Sequence, residues 1–107
     1  FCLGNENLNL KTFKLNSPLN VNFLAKSQLK LSNKFAGSLE NRWKDTKYNI
    51  SRNKVPYFPE SLGLIEAKVE KKIKSGDHTI IICLITNCMK LNTKKPLIYY
   101  KSKYHSI

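Results

Sequence analysis

The sequence has little of what most catalytic signatures require. Its four glycines, Gly4, Gly37, Gly63 and Gly76, stand apart, so no glycine-rich phosphate loop is present. It holds two histidines, His78 and His105, and no G-x-S-x-G, which leaves serine–histidine–aspartate catalysis unsupported. The three cysteines, Cys2, Cys83 and Cys88, are odd in number and lack a C-x-x-C spacing. Neither a disulfide framework nor a zinc knuckle is suggested. Cys83 lies in an apolar run, so the thiols are expected to be reduced and mostly buried, as in a cytoplasmic protein. No paired-carboxylate motif occurs among the 7 acidic residues. The longest apolar run, Ile80 to Ile85, falls far short of the roughly 20 residues that span a bilayer, so no membrane association is expected.

What is present is basic charge of one kind. Lys and Arg number 19, for a formal charge of +12, yet only Arg42 and Arg52 are arginine. The lysines are spread along the chain, with clusters only at Lys71-Lys72-Ile73-Lys74 and Lys94-Lys95. Phosphate recognition favours the arginine fork, so this reads as a solvated lysine-rich surface. Such a field attracts polyanions nonspecifically, and no specific nucleic-acid partner is expected. At 107 residues, 41% of them apolar, the chain is at most one domain. Phe1 is not Met and opens into Cys2-Leu3. The expectation is a start inside an element, in a fragment or processed product without a retained signal peptide.

The pattern along the chain is mainly β. Phe1-Cys2-Leu3 reads as the end of a strand and Gly4 to Asn9 as an asparagine-rich loop. Leu10 to Leu15 suggests a short helix, stopped by Asn16-Ser17-Pro18. Leu19 to Leu24 alternates as a strand, with Leu19, Val21 and Phe23 on one face. Ser27 to Phe35 reads as a helix, capped by Ser27 and ended by Gly37. Ser38 to Pro59 is irregular, and its aromatics are expected to pack it down rather than form a lid. From Leu62 on, Leu64, Glu66, Lys68 and Glu70 oppose Ile65, Ala67 and Val69, predicting a mostly charged face and an apolar one. Lys74 to Asp77 is a turn, and His78 to Met89 a long, mostly buried strand. After a turn at Asn92 to Pro96, Leu97 to Tyr100 is a last strand. Three strands in succession predict an antiparallel meander, as a sheet or barrel.

Gly76-Asp77-His78-Thr79 carries the most chemical information. A Gly-Asp pair turns the chain, and a histidine stands at the mouth of an apolar strand. On a barrel rim it is reachable by ligands, and neutral imidazole both donates and accepts hydrogen bonds. A turn histidine bonded to nearby backbone fits the same pattern. With no catalytic constellation, any chemistry is expected to be a cofactor's, held in a shaped pocket.

Several segments together resemble the flavin reductase-like domain family. They are Gly76-Asp77-His78-Thr79-Ile80 with its apolar strand, and Pro96-Leu97-Ile98-Tyr99-Tyr100-Lys101-Ser102-Lys103-Tyr104. Upstream, Val21-Asn22-Phe23-Leu24, Gln28 and Leu31 to Gly37 resemble the family's strand and following helix, and Phe1-Cys2-Leu3 the end of an earlier strand. The resemblance implies a mainly β protein with short helices, an antiparallel split β-barrel incomplete at its N-terminus. Residues 1–107 would be the C-terminal two-thirds, roughly, of such a domain. It implies a homodimer that binds FMN or FAD and transfers hydride from NADH or NADPH to the flavin, supplying a partner flavin-dependent monooxygenase. By the same resemblance His78 is the catalytic residue, beside nicotinamide and flavin. Cys2, Asn7, Asn9, Phe35, Ala36, His78 and Tyr104 are the cofactor-binding set, with no metal. Asn7 and Asn9 stand where the family usually carries Ser and Thr, and Ser102 where it often has Gly. The alternatives are a flavin- or heme-binding split-barrel protein without turnover, and a basic nucleic-acid-binding module.

Overall fold

In the computed structural model, which describes residues 1–37, 40–105 and 107, the chain is mainly β. The strands are β1 (Cys2–Gly4), β2 (Pro18–Phe23), β3 (Asn49–Ile50), β4 (Pro56–Tyr57), β5 (Gly63–Ser75), β6 (His78–Lys90), β7 (Ile98–Tyr100) and β8 (Lys103–His105). One helix, α1 (Leu29–Ala36), and two 3-10 turns, Leu10–Thr12 and Lys26–Gln28, complete the elements. The principal sheet is antiparallel throughout, in the order β1-β6-β5-β2. Among the described residues β3 pairs with β4 alone, and β7 with β8 alone.

The long β5–β6 hairpin organises the molecule. Ser75 pairs with His78 across a two-residue turn, where Gly76 has φ +59°. Glycine takes that left-handed conformation without Cβ strain. Two bulges interrupt the hairpin, between Glu66 and Ala67 and between Val69 and Lys71. Each bends the ladder and increases its twist, curling four strands into half a barrel. Inside the curl Leu19, Ala67, Val69 and Ile81 form the core, with Leu3, Leu10, Phe13, Ile65 and Cys83 packed against it. The β2 alternation puts Leu19 in that core, whereas Val21 and Phe23 lie farther along the same face and stay exposed.

Several expectations are corrected. β6 is not mostly buried: Ile82, Leu84 and Ile85 are exposed, Ile85 by 56%. β1, with Phe1 before it, covers its outer edge along His78 to Ile81. The thiols are likewise less buried than expected, Cys2 and Cys88 being exposed and Cys83 half-buried, although burial does raise the Cys83 pKa. Ile98–Tyr100 does not extend the meander. Pro96 bridges to Ala25, Leu97 N–H donates to Leu24 O at 3.0 Å, and the strand then pairs with β8. The segment at Asn92 to Pro96 thus crosses to the β2–α1 connection instead of turning back.

Helix α1 starts differently from the expected Ser27 cap. Gln28 folds back, its Oε1 accepting from Ala25 N–H at 2.8 Å, and a 3-10 turn leads into the helix. Leu10 to Leu15 forms only the 3-10 turn Leu10–Thr12. The irregular stretch begins at residues 38 and 39, which lie outside the described residues. Its aromatics do pack it down: Trp43 meets Phe35 edge-on at 5.0 Å and Tyr48 at 5.2 Å, and stacks on Phe58 at 5.8 Å.

The largest departure is Glu66. Alternation puts it on the charged face, yet it is 1% exposed. Its carboxylate accepts from Asn53 N–H at 3.0 Å and Asn87 Nδ2 at 2.6 Å. These bonds, with the Arg52 charge, outweigh desolvation and hold its pKa below the usual value. Asn53 Nδ2 in turn donates to Asn20 Oδ1 at 2.9 Å, pinning the β3–β4 turn onto β2 and β5. Among the described residues no helix is long and apolar enough to cross a membrane.

Candidate functional site

His78 opens β6 beside the turn, with 55% of its side chain exposed. Its Nδ1 lies 2.8 Å from Asp77 Oδ1. The hydrogen bond from His78 and its charge hold the Asp77 carboxyl below its ordinary pKa. Asp77 is therefore an ionised acceptor, which places the Nδ1 proton between the two groups. In the neutral ring Nε2 is then an acceptor, and among the described residues it has no hydrogen-bond partner. Nδ1 is thus bonded to the neighbouring carboxylate, not to backbone as the turn-histidine reading expected, while Nε2 is left without a partner among the described residues.

The loop after β1 packs against this turn. Gly4 pairs with His78, and Cys2 with Ile80, so Cys2 and His78 lie on the same, outward face of the ladder. Asn5, which the sequence reading did not single out, makes the connection. Its N–H donates to Asp77 O at 2.8 Å, its Nδ2 to Gly76 O at 3.1 Å, and its Oδ1 accepts from Thr79 Oγ1 at 2.8 Å. An Asn directly after a strand-ending Gly was the available signal. Asn7 accepts from Asn9 N–H through Oδ1 at 2.8 Å, folding the loop locally. Asn7 lines a depression of about 390 Å³ with Asn5, Lys11 and Lys72.

The other expected ligand residues form a second group around α1. Phe35 packs into the aromatic cluster, 5.1 Å from Phe58 and 5.0 Å from Trp43. Ala36 is exposed at the helix end. Tyr104 on β8 shares a 2.8 Å hydrogen bond with Ser32 on α1 and lies 5.0 Å from Tyr99. Phe58 also lines a cavity of about 310 Å³ with Leu31, Lys30, Lys34 and Lys47. The structure therefore places Cys2 and His78 on one face of the β1–β6 ladder, with Asn7 and Asn9 in the loop that follows β1, and Phe35, Ala36 and Tyr104 separately around α1. No hydrogen bond or ring contact among the described residues joins the two groups. No group of three or more His, Cys, Asp or Glu able to hold a metal occurs among them either.

Comparison with known proteins gives this geometry its context. The family model described as "Flavin reductase like domain" matches residues 1–107. The FMN reductase (NADH) RutF of Acinetobacter baylyi is 26% identical over 105 residues, covering 96% of this chain and 56% of that protein. The reductase component of an FADH(2)-dependent resorcinol hydroxylase from Rhizobium sp. is 26% identical, covering 96% of this chain and 59% of its own length. Among solved structures, flavin reductase HpaC complexed with NADP+ superposes with a TM-score of 0.87 at 27% identity, covering all of this chain and 69% of that one. The chain spans 27% to 59% of the length of the curated relatives it matches.

Proposed function

The chain belongs to the flavin reductase like domain family, and from that premise we propose that it works in an NAD(P)H-dependent flavin reductase that supplies reduced flavin to a monooxygenase. The observation that carries the reading is His78, fixed through Nδ1 by Asp77 and left with a free Nε2. The surroundings suit a flavin nucleotide. The loop beside the turn offers the Asn7 side-chain amide as a donor, with Lys11 and Lys72 and no carboxylate among the lining residues. The outward face next to His78 is apolar at Ile80 and Ile82 and suits an aromatic ring system.

A bound flavin would supply the redox chemistry, as acceptor of hydride from a nicotinamide. The chain's own part is orientation. His78 would hold the nicotinamide, Nε2 of the neutral ring being able to accept from its carboxamide N–H, and Asp77 fixes the ring through Nδ1. His78 is not a nucleophile in this scheme. Asn7 and Asn9 serve the phosphate side, and Cys2 lines the face below. Phe35, Ala36 and Tyr104 serve the far side of the nucleotide. FMN is the first candidate flavin, since FMN reductases recur among the relatives' names, with FAD the second.

The exposed apolar side chains of β2 and β6, Val21, Phe23, Leu84 and Ile85, support a homodimer in which a second subunit covers them. The relatives' names support the monooxygenase partner. The three free thiols support a reducing, cytoplasmic setting.

Steady-state kinetics of the whole protein test the role of His78. Substituting His78→Ala is expected to raise KM for NAD(P)H about tenfold, the equivalent of one hydrogen bond, with flavin affinity nearly kept. If neither KM nor kcat moves, the assignment is wrong. Flavin bound without NAD(P)H oxidation by the wild type would support instead a binding protein without turnover.

A further inference from the structure

Asn5 is bonded three times to one turn. It follows β1 directly, where the Gly4–His78 pair closes the ladder, and so lies opposite Asp77. Its N–H donates to Asp77 O at 2.8 Å, and its Nδ2 donates to Gly76 O at 3.1 Å. Those two oxygens belong to the peptide groups on either side of Asp77. Its Oδ1 accepts from Thr79 Oγ1 at 2.8 Å, one residue past the histidine. A single half-buried asparagine thus holds the chain both before and after His78.

The Asp77–His78 contact depends on such a hold. In a strand successive side chains point to opposite faces, so sequence neighbours do not meet. Asp77 Oδ1 reaches Nδ1 at 2.8 Å because Asp77 lies in the turn, outside the β5–β6 ladder. Packing does not fix the carboxylate, since the Asp77 side chain is 96% exposed. The preceding residue is Gly76, whose backbone is the least restrained of any residue type. The direction of the Asp77 side chain is therefore set by its two flanking peptide planes, and Asn5 binds both.

We propose that Asn5 is a positioning residue for His78. By clamping the two peptide groups around Asp77 it keeps the carboxylate on Nδ1, which leaves Nε2 of the neutral ring as the outward acceptor. Asn5 contacts neither nicotinamide nor flavin in this role and acts through Asp77. The proposal rests on the reading of His78 as the residue that holds the nicotinamide, and deepens it.

The test compares the whole protein with Asn5→Ala, first without cofactors. Long-range 1H–15N correlation reads which ring nitrogen of His78 carries the proton, and His78→Ala identifies its signals. The neutral wild-type ring should carry the proton on Nδ1. In Asn5→Ala the Nδ1–H share should fall toward that of a histidine without a partner. In steady-state kinetics Asn5→Ala should raise KM for NAD(P)H by about threefold to fivefold, less than His78→Ala, with kcat and flavin affinity nearly kept. In a His78→Ala background it should raise KM no further. Thr79→Val is nearly the same in shape and loses only the hydroxyl that holds Asn5 Oδ1. It should shift the tautomer ratio in the same direction by less, and it carries the test if Asn5→Ala is too unstable to assay.

The proposal is overturned if the tautomer ratio keeps its wild-type value in both variants, or if KM does not move in an active Asn5→Ala protein. It is also overturned if Asn5→Ala raises KM by the same factor with and without His78, the mark of a merely structural loss. If the wild type oxidises no NAD(P)H, the reductase reading fails, and the tautomer ratio still decides whether Asn5 positions the ring.

Discussion

Removing the buried carboxylate of Glu66 should destabilise the fold more than any surface substitution. Glu66 accepts from Asn53 N–H at 3.0 Å and from Asn87 Nδ2 at 2.6 Å. In Glu66→Ala both donors lose their acceptor. Each sits on a half-buried residue, so the loss lies toward the lower end of the roughly 1–3 kcal/mol for an unsatisfied buried donor. Adding about 1 kcal/mol for lost packing gives a total of about 3–4 kcal/mol. Against a typical stability of about 5–15 kcal/mol this is a large fraction. Urea unfolding reads it directly, because Trp43 is the single tryptophan and reports without interference. With a urea slope of about 1.5 kcal/mol/M the midpoint should fall by about 2 M.

Glu66→Gln is milder. Its amide oxygen still accepts from Asn53 N–H, and the Asn87 amide can turn to accept from its NH2, so the loss is about 1 kcal/mol. Acid separates the two causes. The folded pKa of Glu66 lies below its ordinary value, so the ionised form contributes stability at neutral pH. That contribution is complete above the unfolded pKa and is lost as pH falls through the folded one. Wild type should therefore lose stability below about pH 4.5, and Glu66→Gln should flatten that part of the curve. The reasoning is refuted if Glu66→Ala unfolds within 0.5 kcal/mol (roughly the scatter of surface substitutions) of wild type, or if the acid limb is unchanged in Glu66→Gln.

Two further substitutions test the C-terminal hairpin. Lys101 and Ser102 both have positive φ, 52° and 60°, in its turn, a conformation that glycine takes without strain. Ser102→Gly should therefore raise the urea midpoint slightly, equivalent to about 0.5–1 kcal/mol, and a lower midpoint would contradict the strain. Tyr104→Phe removes the 2.8 Å bond to Ser32 that ties β8 to α1, and should cost about 1 kcal/mol by the same assay, with Ser32→Ala non-additive to it.

The sequence was legible where local rules act alone. The β5–β6 hairpin followed from its alternation and from Gly76, since a two-residue turn demands a left-handed residue. The His78 position followed from that turn. Features set by register or distant contacts were not legible. The bulge at Glu70 carries no mark in Val69-Glu70-Lys71-Lys72, yet it decides which lysine faces inward. Glu66 reads as a surface acid because its partners, Asn53 and Asn87, are 13 and 21 residues away. The departure of Ile98–Tyr100 from the meander depends on Pro96 meeting Ala25, a pairing across 71 positions. Asn5 escaped notice because its bonds to Gly76, Asp77 and Thr79 arise only once β1 and β6 are paired.

The central claim is that this chain serves flavin reduction, with His78 beside the nicotinamide. Its most direct test is NADH oxidation by the whole protein under air, followed at 340 nm with and without added FMN. The account predicts flavin-dependent oxidation that saturates in both FMN and NADH. Protein that binds no flavin and oxidises no NADH or NADPH at any FMN concentration would contradict it.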